Sequence, residues 1–137
     1  MDIIDCILLI FTVPFMWLTS FLVHEFMHIK SQGILMGGTI YVNEFGMTVD
    51  ADEIYNLDLF YLSGGLYSGI IFMLLGIILF YYNAVALYIP SFTFGFINLT
   101  YGFWEFIHGA EGRWKIYLTS TIISIIFWLV CIFLGYI

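Results

Sequence analysis

Apolar residues run almost unbroken over four stretches: Ile3 to Ile29, Leu57 to Tyr82, Ala84 to His108 and Ile116 to Ile137. A helix of about 20 apolar residues matches the ~30 Å hydrocarbon core of a bilayer, so each stretch predicts a membrane-crossing helix. Pro14 lies inside the first and predicts a kink there. Between the first and second, Ser31 to Asp58 is the one long polar stretch, and within it residues 38–50 alternate. Ile40 and Val42 precede Asn43-Glu44-Phe45-Gly46, and Met47 and Val49 follow, which predicts a short β-hairpin. The pattern as a whole predicts an all-α integral membrane protein with a single domain over 1–137. It has about four transmembrane helices, at about 3–29, 57–82, 84–108 and 116–137, and a hairpin between the first and second.

Composition sharpens this picture. The chain is 63% hydrophobic and 9% charged, whereas a soluble domain carries about 25% charged residues to dress its surface. The lipid bilayer is therefore its expected surroundings. Three Lys and Arg against ten Asp and Glu, a net charge of −7, exclude nucleic acid as a natural partner. With the N-terminus outside, four crossings bring Lys30, Arg113 and Lys115 to one side, as the positive-inside rule requires. The hairpin is then expected in the cytoplasm.

Against this background, His24-Glu25-Phe26-Met27-His28 stands out. Residues four apart on a helix share a face, so both imidazoles can address one metal ion. Glu25, the next residue round, can act as a general base on water beside that ion. Ionisable groups inside an apolar span are costly and mark function by default. A catalytic Zn²⁺ usually takes three protein ligands and leaves a fourth position open. The third apolar stretch offers candidates. Glu105 follows Asn98 by seven residues on one helix face, His108 lies a turn further on, and Glu111 stands just beyond. At about 1.5 Å per residue, the midpoint of His24 and His28 lies ~6 Å inside Lys30. Counting back equally far from Arg113 and Lys115 reaches His108 to Glu111, so the two stretches bring polar groups to similar depth. The third ligand is open between Glu105, His108 and Glu111.

These motifs resemble those of the site-2 protease family of intramembrane zinc metalloproteases. His24-Glu25-Phe26-Met27-His28 near the end of a membrane helix matches the family's HExxH. Ser63-Gly64-Gly65-Leu66-Tyr67-Ser68-Gly69 is similar to the small-residue opening of its second core helix. Asn98 followed by Glu111-Gly112-Arg113 resembles its Asn-x-x-Pro-x-x-x-x-Asp-Gly segment, which supplies an aspartate as third zinc ligand. Here Glu replaces Asp, Tyr101 stands at the proline position, and Glu111 lies thirteen residues after Asn98 instead of eight. The likeness covers about Ile3 to Lys115.

The resemblance implies one Zn²⁺ and cleavage of a substrate's transmembrane segment, with release towards the cytoplasm. Glu25 would be the general base, and Asn98 would donate a hydrogen bond to the substrate or the oxyanion. Since a membrane helix hides its peptide bonds in its own hydrogen bonds, the strand Ile40-Tyr41-Val42 is expected to pair with substrate backbone and present it unwound. Two other functions fit parts of the sequence: a membrane metal-binding or transport module, and a non-catalytic membrane partner using its glycine-rich face for assembly.

Overall fold

The computed structural model describes residues 3–31, 38–43, 46–51, 54, 56–109 and 113–134. Four helices carry the chain: α1 (Ile3–Ser31), α2 (Leu57–Tyr81), α3 (Val85–His108) and α4 (Arg113–Phe133). Strands β1 (Gly38–Asn43) and β2 (Gly46–Ala51) lie between α1 and α2. They pair antiparallel, with Ile40 opposite Val49, Tyr41 opposite Thr48 and Val42 opposite Met47. Both strands lie against α1.

Local chemistry sets the boundaries. Asn56 caps α2, its side-chain oxygen accepting from the Leu59 amide at 2.9 Å, which satisfies one of the orphan N–H groups of the first turn. The chain then reverses through Asn83, whose φ of 56° is left-handed, a conformation asparagine tolerates because a short polar side chain can hydrogen-bond locally. At the far end of α3, Gly109 takes φ 62° and its amide bonds back to the Glu105 carbonyl at 2.8 Å.

Helix α3 is the centre of the bundle and packs against α1, α2 and α4. Among the described elements its contact with α2 is the most extensive, and both helices present glycine there. A Cβ on Gly102 would lie 2.6 Å from the Gly65 Cα, and one on Gly65 would collide with the Gly102 backbone. With no aqueous phase to drive apolar association inside a membrane, such close backbone approach and interhelical hydrogen bonds hold helices together. Helix α4 joins α3 by the second means: Thr100 and Ser120 share a hydrogen bond of 2.8 Å, and the Trp128 indole donates to Thr93 Oγ1 at 2.6 Å. Thr12 likewise ties α1 to the Ala86 carbonyl at the start of α3, at 2.6 Å. Met16, Phe72, Phe94 and Ile97 fill the space between α1, α2 and α3.

Among the described residues, three segments are long and apolar enough to cross a membrane: α1, α2 and Lys115–Phe133 of α4. Their outer faces are rows of exposed Ile, Leu and Phe, among them Ile70, Ile71, Leu74, Ile77 and Ile78 on α2. In water such faces would be untenable, and they mark the chain as a membrane protein. Helix α3 departs from the expected four equally apolar crossings. It packs against the other three and buries Asn98 and Glu105, while Phe96, Phe103, Phe106 and Ile107 stay exposed along it.

Candidate metal centre

The site forms where the last two turns of α1 meet the first turns of α2 and the last turns of α3. His24, Glu25 and His28 are all buried on α1, at 2%, 4% and 3% exposure, and Glu105 of α3 is 1% exposed. The i, i+4 spacing works as the sequence implies: the imidazoles lie 4.8 Å apart at their centres, with the two Nε2 atoms 3.1 Å from each other. Glu105 Oε2 lies 3.1 Å from His24 Nε2 and 3.4 Å from His28 Nε2. These three atoms form a nearly equilateral triangle.

The opposite edges of the rings explain why that triangle is notable. His28 Nδ1 is 2.6 Å from the Phe60 carbonyl oxygen, which can only accept, so His28 carries its proton on Nδ1. His24 Nδ1 is 3.1 Å from Asn98 Oδ1, again an acceptor, and is likewise the protonated nitrogen. Neutral rings in this state turn bare Nε2 lone pairs towards each other and towards a carboxylate. With both rings neutral, three acceptors converge in a buried space, an arrangement that a proton or a shared metal cation would stabilise. Zn–N bonds of about 2.0–2.1 Å in tetrahedral geometry place neighbouring ligand atoms about 3.3 Å apart. The observed edges of 3.1, 3.1 and 3.4 Å fit that figure. His24, His28 and Glu105 could therefore hold a zinc ion through three corners of a tetrahedron, with Nδ1–H groups anchored as ligating histidines generally are.

Glu25 completes the cluster without joining the triangle. One of its carboxylate oxygens and a ring nitrogen of each histidine lie within 4.8 Å of one another, near enough to an ion in the triangle to act on water beside it or to reach the ion itself. Of the three sequence candidates for a third ligand, Glu105 is brought to the histidines. His108 is exposed and stacks on Trp104 at 3.9 Å between ring centres. Glu111 lies outside the described residues. Asn98 reaches the site, but as a neighbour of His24: its amide donates to Ser20 Oγ and to the Phe94 carbonyl, both at 2.7 Å. With both N–H groups engaged, it has none left for the oxyanion role expected of it. Ile40, Tyr41 and Val42 sit in β1, paired with β2.

Further contributors come from α2, two of them within the Ser63–Gly69 motif. The Phe60 carbonyl is backbone and carries no sequence signal. Ser63 bridges helices, its hydroxyl within 3.3 Å of the Met27 carbonyl and 2.9 Å of the Phe60 carbonyl. Gly64 lies flat against the ligating edge of His28: a Cβ there would collide with Nε2, Cε1 and Cδ2 of the ring. Gly64→Ala is accordingly expected to push His28 Nε2 off the triangle and weaken zinc binding, although position 64 touches no ion. Zinc stoichiometry and a thermal melt of the purified variant test this; full zinc at wild-type affinity would contradict the packing argument. Ser20, four residues before His24 and so on the same helix face, is the one neighbour that spacing could have flagged.

No family model, curated protein or solved structure matches this chain, so the arrangement of its own residues is what any functional reading must rest on.

Proposed function

We propose that this protein is an intramembrane zinc metalloprotease, hydrolysing peptide bonds in or near the transmembrane segments of membrane-protein substrates. One observation carries the reading. Three buried acceptors, His24 Nε2, His28 Nε2 and Glu105 Oε2, stand at the edge lengths of a tetrahedral zinc shell, with a second acid, Glu25, in the same cluster.

In this reading His24, His28 and Glu105 hold one zinc, which when bound supplies Lewis-acid polarisation of a carbonyl and lowers the pKa of water. Glu25 takes a proton from the attacking water as its oxygen bonds to the scissile carbon. It returns that proton to the amide nitrogen as the C–N bond breaks, leaving a carboxylic acid, whose proton then passes to the amine to give a carboxylate and an ammonium group. Burial excludes bulk water and strengthens each of these electrostatic contacts. The substrate must arrive unwound, because a membrane helix keeps its carbonyls in its own hydrogen bonds. Strand β1, including Ile40, Tyr41 and Val42, offers backbone for such an extended segment to pair with. Prolines at Ile40 and Val42 should slow cleavage at unchanged zinc content, and unaltered turnover would remove the hairpin from the mechanism. Lys30 in the last turn of α1 and Lys115 near the start of α4 support, by the positive-inside rule, an orientation with the N-terminus outside and the hairpin and site at the cytoplasmic face.

The direct test is metal content of the detergent-purified protein beside cleavage of a model transmembrane peptide, wild type against His28→Ala. About one zinc per chain with cleavage is expected of wild type, and neither of the variant. Wild type without stoichiometric zinc would end the proposal. The same donor set also suits a membrane metal-binding module, which predicts zinc without cleavage.

A further inference from the structure

Both histidines turn Nδ1 to an oxygen, but the two oxygens differ in kind. For His28 it is the Phe60 backbone carbonyl, which no side-chain substitution removes. For His24 it is the side-chain oxygen of Asn98, 3.1 Å away, and a carboxamide can present either end. Were its NH₂ turned to His24, it would donate to Nδ1 and the ring proton would move to Nε2. That hydrogen would then point at His28 Nε2 and Glu105, where a metal would have to be, and His24 could not ligate.

We infer that Asn98 and Ser20 act together as a tautomer lock on His24, holding its proton on Nδ1 so that Nε2 stays free to bind metal. The inference rests on the metal-binding reading above for its consequence, but its own geometry is independent of it. An obligate acceptor selects the orientation of Asn98, and a buried hydroxyl anchors it. The Phe94 carbonyl, 2.7 Å from Nδ2, would meet the Asn98 oxygen as acceptor against acceptor if the amide flipped. Ser20 Oγ, also 2.7 Å from Nδ2 and 3% exposed, takes the second N–H and pins the amide across the α1–α3 contact. Ser20 and His24 are one turn apart on α1, so the same helix that carries the ligand carries the anchor for its partner. Asn98 and Ser20 are thus positioning residues, and neither needs to touch substrate or ion.

The test uses the full-length, detergent-purified chain labelled with ¹⁵N-histidine. The His24 tautomer is read from imidazole ¹⁵N shifts in zinc-free protein at alkaline pH, where the ring is neutral. Zinc affinity is measured alongside by competition with a chromophoric chelator. Wild type should show His24 with its proton on Nδ1. Ser20→Ala should admit the other tautomer and weaken zinc binding by roughly 10–100-fold, the range for lost outer-shell partners of metal ligands. Asn98→Leu should do so at least as strongly. Ser20→Thr, which keeps the hydroxyl, should restore both readings. Ser68→Ala removes a buried serine that bonds only within α2, and should change neither reading. A wild-type His24 protonated on Nε2, or a Ser20→Ala variant with unchanged tautomer, overturns the lock. Wild type that takes up no zinc yet shows the Nδ1 proton and its loss in Ser20→Ala would sustain the lock and defeat the metalloprotease reading instead.

Discussion

Glu25→Gln is expected to leave zinc bound and to abolish cleavage, with turnover falling by roughly 10²–10⁴-fold, the typical contribution of a positioned general base. The residue lies on α1 beside both histidines and is 4% exposed, so its carboxylate is held in place. It is not one of the three atoms that meet at 3.1–3.4 Å. An amide of the same shape fits the same space but cannot accept and return a proton. The measurement is zinc stoichiometry together with single-turnover cleavage of a membrane peptide. If Glu25→Gln cleaves at the wild-type rate, Glu25 is not the base. If it loses zinc, Glu25 belongs to the ligand set, and a metal-binding or transport module becomes the better description.

The second large effect belongs to Glu105. Glu105→Gln should lose zinc, since a neutral amide is a poor ligand and the triangle would have only two strong corners. The loss should exceed the ~10–100-fold that outer-shell changes cause. The same substitution should behave differently once metal is absent. At alkaline pH, where both rings are neutral, zinc-free wild type holds two imidazole lone pairs and a carboxylate together in a buried space, whereas glutamine can donate its N–H groups to those lone pairs. Zinc-free Glu105→Gln is therefore expected to melt no lower than zinc-free wild type. Zinc should raise the melting temperature of wild type alone. At a hundredfold excess over Kd, linkage stabilises the folded state by about 2.7 kcal/mol. His108→Ala, altering an exposed ring stacked on Trp104, should leave zinc affinity unchanged. Zinc retention in Glu105→Gln would transfer the third corner to another residue.

Much of this protein is written in short-range pattern. The apolar runs dictate α1, α2 and α4 because lipid tolerates only satisfied backbone. Asn83 and Gly109 mark reversals through the conformations they permit. The alternation over 38–50 carries the β1–β2 pairing. The two imidazoles at i and i+4 need nothing beyond a helix to share a face, so that half of the site is legible from spacing alone.

The other half is a matter of how α3 is turned against its neighbours. Glu105, His108 and Glu111 follow one another within two turns, and periodicity offers no means of choosing among them. The choice is made where Gly65 and Gly102 let α2 and α3 come into backbone contact, which fixes the rotation that points Asn98 and Glu105 at His24. The Phe60 carbonyl that orients His28 is likewise a product of packing, since every residue has one and only the fold says which is near. The sequence by itself determined the membrane helices and the two-histidine pair, because those depend on interactions within a few residues. Only the tertiary structure decided which acid faces that pair and which oxygens hold its rings, because both depend on helices that meet across more than thirty residues of chain.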